Sequence, residues 1–230
     1  MEILLVAATS FEIQPTIDHF RDRARENGSK SLATLITGVG SLATTYALTR
    51  QIDRVRPDLV LQAGIAGCLT DKRAGDVLVV KEEVLADLGV WEEQRFRSLF
   101  DMNLANPDGF PFTGGRLVNP HTPLFGLAGL EPVRGMTVNE ISTDAQQISW
   151  HQQNTSAVVE SMEGGPFHYV CLQAGLPFLQ LRSVSNAVGV RDKTKWNIPL
   201  AIARLNEELI ALLEKLEKEP ATGGIKINKA

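Results

Sequence analysis

Short, almost unbroken apolar runs alternate with longer amphipathic stretches along the chain. The runs in ILLVAA (3–8), SLATLITGVG (31–40), DLVLQAGIAG (58–67), DVLVVKEEVL (76–85), VRGMTVNEI (133–141), AVVESM (157–162) and PFLQLRSVS (177–185) predict strands. Phe11, Ile13, Ile17 and Phe20 mark a helix around 11–25. SLATTYALTRQIDRVR (41–56) predicts another, with Ser41 as N-cap and Pro57 beyond its end, and IPLAIARLNEELIALLEKLEKE (198–219) a long final one. A further helix follows Ser161-Met162-Glu163, with Glu163 expected in its first turn. Strands apolar on both faces, interleaved with helices, imply an α/β fold. The expectation is a single-domain, three-layer α/β/α arrangement with a central mixed, largely parallel sheet over residues 1–219.

Two stretches break this rhythm. Residues 87–132 hold Trp91, Phe96, Phe100, Phe110, Phe112 and Phe125 among Gly, Pro and Asn, without helix or strand period. A segment of that length is expected to be a binding loop or a subunit contact. PATGGIKINKA (220–230) is expected to be a flexible C-terminal tail.

Composition narrows the partners. The 230 residues are 43% hydrophobic and 22% charged with a net charge of −4, so no broad basic surface is available for nucleic acid or an anionic membrane. The partner expected is a small molecule or another copy of the chain. Cys68 and Cys171 sit among small or apolar neighbours as buried free thiols do, which fits a reducing cytoplasm. The apolar run at the N-terminus is too short for a signal peptide or a membrane span.

In such sheets ligands collect at the carboxyl ends of strands. Polar or glycine-rich groups stand there in TSFE (9–12), TGVG (37–40), AGIAG (63–67), SMEGG (161–165) and SVSN (183–186). The dinucleotide and Walker fingerprints are missing, the four histidines show no metal-ligand spacing, and Ser183 and Ser185 lack a nucleophile-elbow context. No cofactor or metal is expected, and His168, inside FHYVCL, reads as structural. Glu163 could serve only the helix dipole. Gly164 and Gly165, which weaken a helix, suggest instead that something approaches the backbone closely there.

These marks together resemble the purine nucleosidase and phosphorylase family that includes the methylthioadenosine/S-adenosylhomocysteine nucleosidases. The resemblance spans essentially residues 1–217. It rests on the opening strand with Glu12 just after it, TGVG, AGIAG followed by AGDVLVV (74–80), VESMEGG (159–165) and RSVSN (182–186). It implies that Glu12 activates the attacking water, that Glu163 hydrogen-bonds the ribose hydroxyls and that Met162 packs beneath the sugar. It also implies catalytic contact by Asn186 and substrate contact by Gly64, Ala66, Gly67 and Ser185.

The chemistry asks for these residue types on its own terms. Cleaving a nucleoside builds positive charge on the ribose and negative charge on the departing purine, so a carboxylate at the sugar and a donor at the base favour the transition state. A second carboxylate can take the proton of the water. Asn186 is the informative departure, because the methylthioadenosine nucleosidases carry Asp at that place. An amide can donate to O6 of a 6-oxopurine and accept from a protonated N7, where an ionised Asp would oppose lone pairs. Such a mismatch costs roughly 1–3 kcal/mol, and the expected base is hypoxanthine. RSVSN with KWNIPLAI (195–202) and ADLGV (86–90) narrows the resemblance to a hydrolase whose substrate bears a carboxyphenyl ketone on the sugar.

Three other readings stay open. One is a methylthioadenosine-type nucleosidase and another a 6-oxopurine phosphorylase, although Arg182 and Arg191 are a thin phosphate cradle. The third is a non-catalytic purine-binding or storage protein on the same fold. A homodimer or higher homo-oligomer is expected.

Overall fold

The computed structural model describes residues 1–27 and 32–218. The tail expected at 220–230 lies outside them. The chain runs β1 (Ile3–Ala7), α1 (Ser10–Asn27), β2 (Ala33–Ile36), α2 (Ser41–Arg54), β3 (Leu59–Cys68), β4 (Val77–Leu85), β5 (Gly89–Glu92), β6 (Arg95–Ser98) and β7 (Leu117–Val118). It continues through α3 (Thr122–Ala128), β8 (Glu131–Thr137), α4 (Ala145–Asn154), β9 (Val159–Ser161), α5 (Gly164–Gln173), β10 (Phe178–Ala187) and α6 (Ile198–Lys218).

The sheet is mixed. β2, β1, β3 and β10 run parallel, as do β4, β8 and β9, whereas β10 meets β4 and β3 meets β9 in antiparallel register. Long β3 makes this possible. Its first half lies between β1 and β10, and its last two residues, Gly67 and Cys68, pair with Glu160 and Val159 of β9. The pairings β3–β10–β4–β8–β9–β3 therefore close a ring, from which β1 and β2 extend as a wing.

Strand alternation sorts the core. Leu59, Leu61 and Ala63 of β3, with Leu179 and Leu181 of β10, pack under α1, α3 and α6. The opposite face begins with Val60 and Phe178 under α2 and α5 and ends with Ala66, Cys68 and Val184 among the apolar side chains of the ring. Between those apolar ends the same face carries Gln62, Gly64, Gln180 and Arg182, all buried. This polar belt lies under the start of α5.

Three details correct the sequence expectations. The 87–132 segment is not irregular throughout: it holds the β5–β6 hairpin, β7, α3 and the start of β8. The hairpin is pinned to α4, a helix the sequence pattern did not announce, by Trp91 and Phe96 against Trp150 and His151. At α2 the N-cap is Gly40 rather than Ser41. Glu163 is the N-cap of α5, one position before its first turn, and its carboxylate makes no capping hydrogen bond. Among the described residues no helix is long and apolar enough to cross a membrane, and no group of three or more His, Cys, Asp or Glu could hold a metal ion.

Candidate active site

The carboxyl half of β3 gathers the groups that the sequence places at separate strand ends. Thr9 precedes α1 and Glu12 closes its first turn, so Thr9-Ser10-Phe11-Glu12 forms one arm of a capping box: Thr9 N–H donates to Glu12 Oε2 at 3.1 Å and Thr9 Oγ1 at 3.0 Å. The other oxygen, Oε1, accepts from Ile65 N–H of β3 at 3.0 Å. Glu12 is thereby fixed at both oxygens and buried, 8% exposed.

Asn206 of α6 holds the same helix from behind. Its Nδ2 donates to Glu12 O at 2.9 Å, and its Oδ1 accepts from Thr16 N–H at 3.0 Å and Thr16 Oγ1 at 2.6 Å. Sequence reasoning missed this residue, whose only signal is a buried amide on the apolar stripe of α6.

Glu163 arrives from the other side of the sheet. Gly40 stands at φ 93°, in the left-handed region that favours glycine, and its N–H donates to Glu163 Oε1 at 3.0 Å. The TGVG turn thus presents the amino end of α2 to the carboxylate. Glu163 Oε2 lies 3.6 Å from Arg182 Nη1, an ion pair too long to be a hydrogen bond. Arg182 is in turn held by Gln62 Oε1 at 3.1 Å and Ile65 O at 3.5 Å.

Gly64 is where these two constellations meet. A Cβ there would fall 2.5 Å from Arg182 Nη1 and 2.9 Å from Glu12 Oε1, so only a residue without a side chain lets both groups approach β3. Further along the strand, Ala66 O lies 3.1 Å from Ser185 Oγ and a Cβ on Gly67 would lie 3.8 Å from Asn186 Nδ2.

The end of β10 is irregular. Its register with β3 shifts between Val184 and Asn186, leaving Ser185 as the extra residue of a bulge. Ser185 turns inward, with its hydroxyl also 2.7 Å from Asn186 Oδ1, while Asn186 is half-buried and donates from Nδ2 to Ala187 O at 2.9 Å. The amide keeps a second N–H and a second acceptor lone pair for a ligand. Met162 stands half-buried in the β9–α5 turn. Cys68, Cys171 and His168 are buried, and burial holds the His168 imidazole neutral, its pKa pushed down to about 3.

Two cavities lie elsewhere. One, of about 350 Å³, opens between Ile3, Leu32, Pro57 and Leu213, and the other, of about 330 Å³, between Leu85, Phe96, Phe100 and Trp150. Neither is lined by Glu12, Glu163 or Asn186.

Comparison with known proteins gives the family of the chain. Residues 129–216 match the family model described as the Phosphorylase superfamily. The chain is 32% identical over 222 residues to the futalosine hydrolase of Acidothermus cellulolyticus, covering 91% of this chain and 88% of the relative. It is 32% identical over 190 residues to that of Thermus thermophilus, covering 78% and 80%. In fold it is similar to the 5′-methylthioadenosine/S-adenosylhomocysteine nucleosidase of Helicobacter pylori, with a TM-score of 0.75 at 19% identity over 93% of this chain and 97% of the other. The extent of the curated similarity, together with the nucleoside phosphorylase-like fold, shows that the chain belongs to the futalosine hydrolase family.

Proposed function

We propose that this protein hydrolyses the N-glycosidic bond of futalosine, releasing hypoxanthine and dehypoxanthine futalosine, as a step of menaquinone biosynthesis. The observation that carries the reading is the meeting of Glu12 and the Glu163–Arg182 pair at Gly64.

Glu163, whose Oε2 receives no hydrogen bond from the described residues, takes the ribose hydroxyls, and its charge favours the sugar as it becomes cationic. The C1′–N9 bond breaks with its electron pair going to the purine. Water then attacks C1′ and gives its proton to Glu12, whose Oε1 accepts one N–H and keeps a lone pair for that task. N7 takes up a proton from solvent as the bond breaks, so the base leaves neutral; Asn186 accepts from that N7–H and donates its free N–H to O6. Met162 packs beneath the sugar, and Gly64, Ala66, Gly67 and Ser185 shape the wall against which the nucleoside lies.

Water rather than phosphate is supported by the fate of the two arginines that could have formed a cradle. Arg182 is 1% exposed and engaged by Gln62, Ile65 and Glu163, and Arg191 stacks over Trp196 at 5.6 Å. Phe11, Val39 and Leu42 stay exposed next to Glu12 and Gly40, which supports a second copy of the chain covering the crevice.

A nucleoside panel tests the reading. Futalosine is expected to yield hypoxanthine, while methylthioadenosine, S-adenosylhomocysteine and plain inosine react poorly. Robust cleavage of methylthioadenosine would instead assign the site to 6-aminopurines.

A further inference from the structure

The space left by the glycines after Glu163 is filled from inside the ring. A methyl group on Gly164 would overlap the Glu83 carboxylate and come within 2.5 Å of Gln180 Nε2, and one on Gly135 of β8 would lie 2.6 Å from Glu83 Oε1. Two glycines on two elements thus make room for one carboxyl group. Glu83 faces inward because β4 carries a register shift between Val80 and Glu82, which leaves Lys81 without a partner on β8 and reverses the alternation. It is 1% exposed.

Its hydrogen bonds extend in both directions. Thr137 Oγ1 lies 3.0 Å from Glu83 Oε2 and accepts from Gly165 N–H at 2.6 Å, tying the carboxyl group to the first turn of α5. On the other side Gln180 Nε2 lies 2.9 Å from Glu83 Oε1, and the Gln180 side chain also acts on the neighbouring His168 ring. His168 Nδ1 is 3.1 Å from Leu117 O, which can only accept, so Nδ1 carries the ring proton and Nε2 is an acceptor.

With Nε2 of Gln180 toward Glu83, Gln180 Oε1 and His168 Nε2 are both buried without a partner among the described residues. The reversed amide occupies the same volume. In that orientation Gln180 turns its N–H toward the side of His168 Nε2 and its carbonyl to Glu83, which then pairs with it by bearing a proton. Among the described residues two charged groups act on it, Arg182 from β10 and Glu163 at the N-cap of α5, and His168 of α5 lies beyond Gln180. β8 brings Gly135 and Thr137, and β7 brings Leu117 and Val118. Neighbouring Glu82 is paired with Arg134 instead. Burial dominates among these influences and pushes the carboxyl up to about 7.

We infer that Glu83 is a proton-bearing positioning residue: as a neutral acid it closes the chain His168–Gln180–Glu83–Thr137–Gly165, which holds the first turn of α5 and with it the Glu163 carboxylate. The inference rests on Glu163 as the ribose clamp. Loss of the proton sets a second negative charge behind Glu163, against the same Arg182, and opens the chain at Gln180, so activity declines toward alkaline pH.

Glu83→Gln supplies the test, since its amide can donate to Gln180 and accept from Thr137 as the neutral acid does. Infrared spectra of protein labelled with isotopic glutamate are expected to show, at mildly acidic pH, a protonated-carboxyl band in the wild type that Glu83→Gln lacks. This band needs no turnover, so it reads Glu83 even if the substrate assignment fails. On futalosine, Glu83→Gln is expected to keep kcat/KM within about threefold of wild type at mildly acidic pH and to lose the wild-type alkaline decline. A band that persists in the variant, a wild type without one, or superimposable pH profiles would overturn the inference.

Discussion

Arg182 Nη1 stands 3.6 Å from Glu163 Oε2 with both side chains closed off from solvent, so the cation in the polar belt is matched to the carboxylate assigned to the ribose. Removing one member of a buried pair leaves the other uncompensated, at a cost of about 3–5 kcal/mol. Arg182→Met is expected to lose stability of that order in urea denaturation. Arg182→Lys keeps the charge but not the fork that serves Gln62, Ile65 and Glu163 together, and should fold with kcat reduced about tenfold. Unchanged stability in Arg182→Met would show that the pair does not hold the site.

Gly64→Ala places a methyl group between Arg182 Nη1 and Glu12 Oε1. Overpacking of this kind costs about 1–3 kcal/mol, and here the atoms forced aside are those proposed for catalysis. We expect kcat to fall by about a hundredfold or more while the protein stays folded, measured by steady-state kinetics beside circular dichroism. Near-normal kcat would mean that Glu12 and Arg182 do not need their present positions.

The raised pKa of Glu83 sets a sign for stability against pH. The folded state keeps the proton to about 7 whereas the unfolded chain releases it near the ordinary value of 4.5. The folded state therefore binds more protons across that window, and stability falls as pH rises through it, by about 3 kcal/mol in all. Glu83→Gln has no such loss. Urea denaturation should show the stability difference moving in favour of the variant between these two pH values and levelling above them; a constant difference would mean that Glu83 is ionised throughout.

Asn186 is the residue proposed to choose the base. Asn186→Asp should lose activity on futalosine, because an ionised carboxylate opposes O6, and should gain weak activity on a 6-amino analogue such as aminodeoxyfutalosine. The check is the ratio of kcat/KM on the two substrates. A variant with the wild-type ratio would show that Asn186 does not read position 6.

The parts of this site that were legible in the sequence are those whose signal is local. Gly40 and Gly64 mark a special backbone angle and a close approach, and the glycine-ended strands bring them to one side of the sheet. The Thr9-x-x-Glu12 capping box was equally local and was overlooked. Arg182, Glu83 and Gln180 were not legible as a group, because their inward direction depends on ring closure and on a register shift at Lys81. The β5–β6 hairpin escaped for a different reason. Glu93 and Gln94 adopt positive φ angles of 50° and 63° at its turn without the Asn-Gly or Asp-Gly that usually announces one. In α4, AQQISWHQQN has too few apolar residues to show a stripe, and its place is fixed by the aromatic contacts to the hairpin.

The most direct test of the account is hypoxanthine release from futalosine in phosphate-free buffer, compared between wild type and Glu12→Gln. The account predicts full wild-type turnover without phosphate and a loss of about a hundredfold or more in kcat for the variant, with KM little changed, because only the base that activates water has been removed. An absolute requirement for phosphate, or a Glu12→Gln variant that turns over as the wild type does, would contradict it.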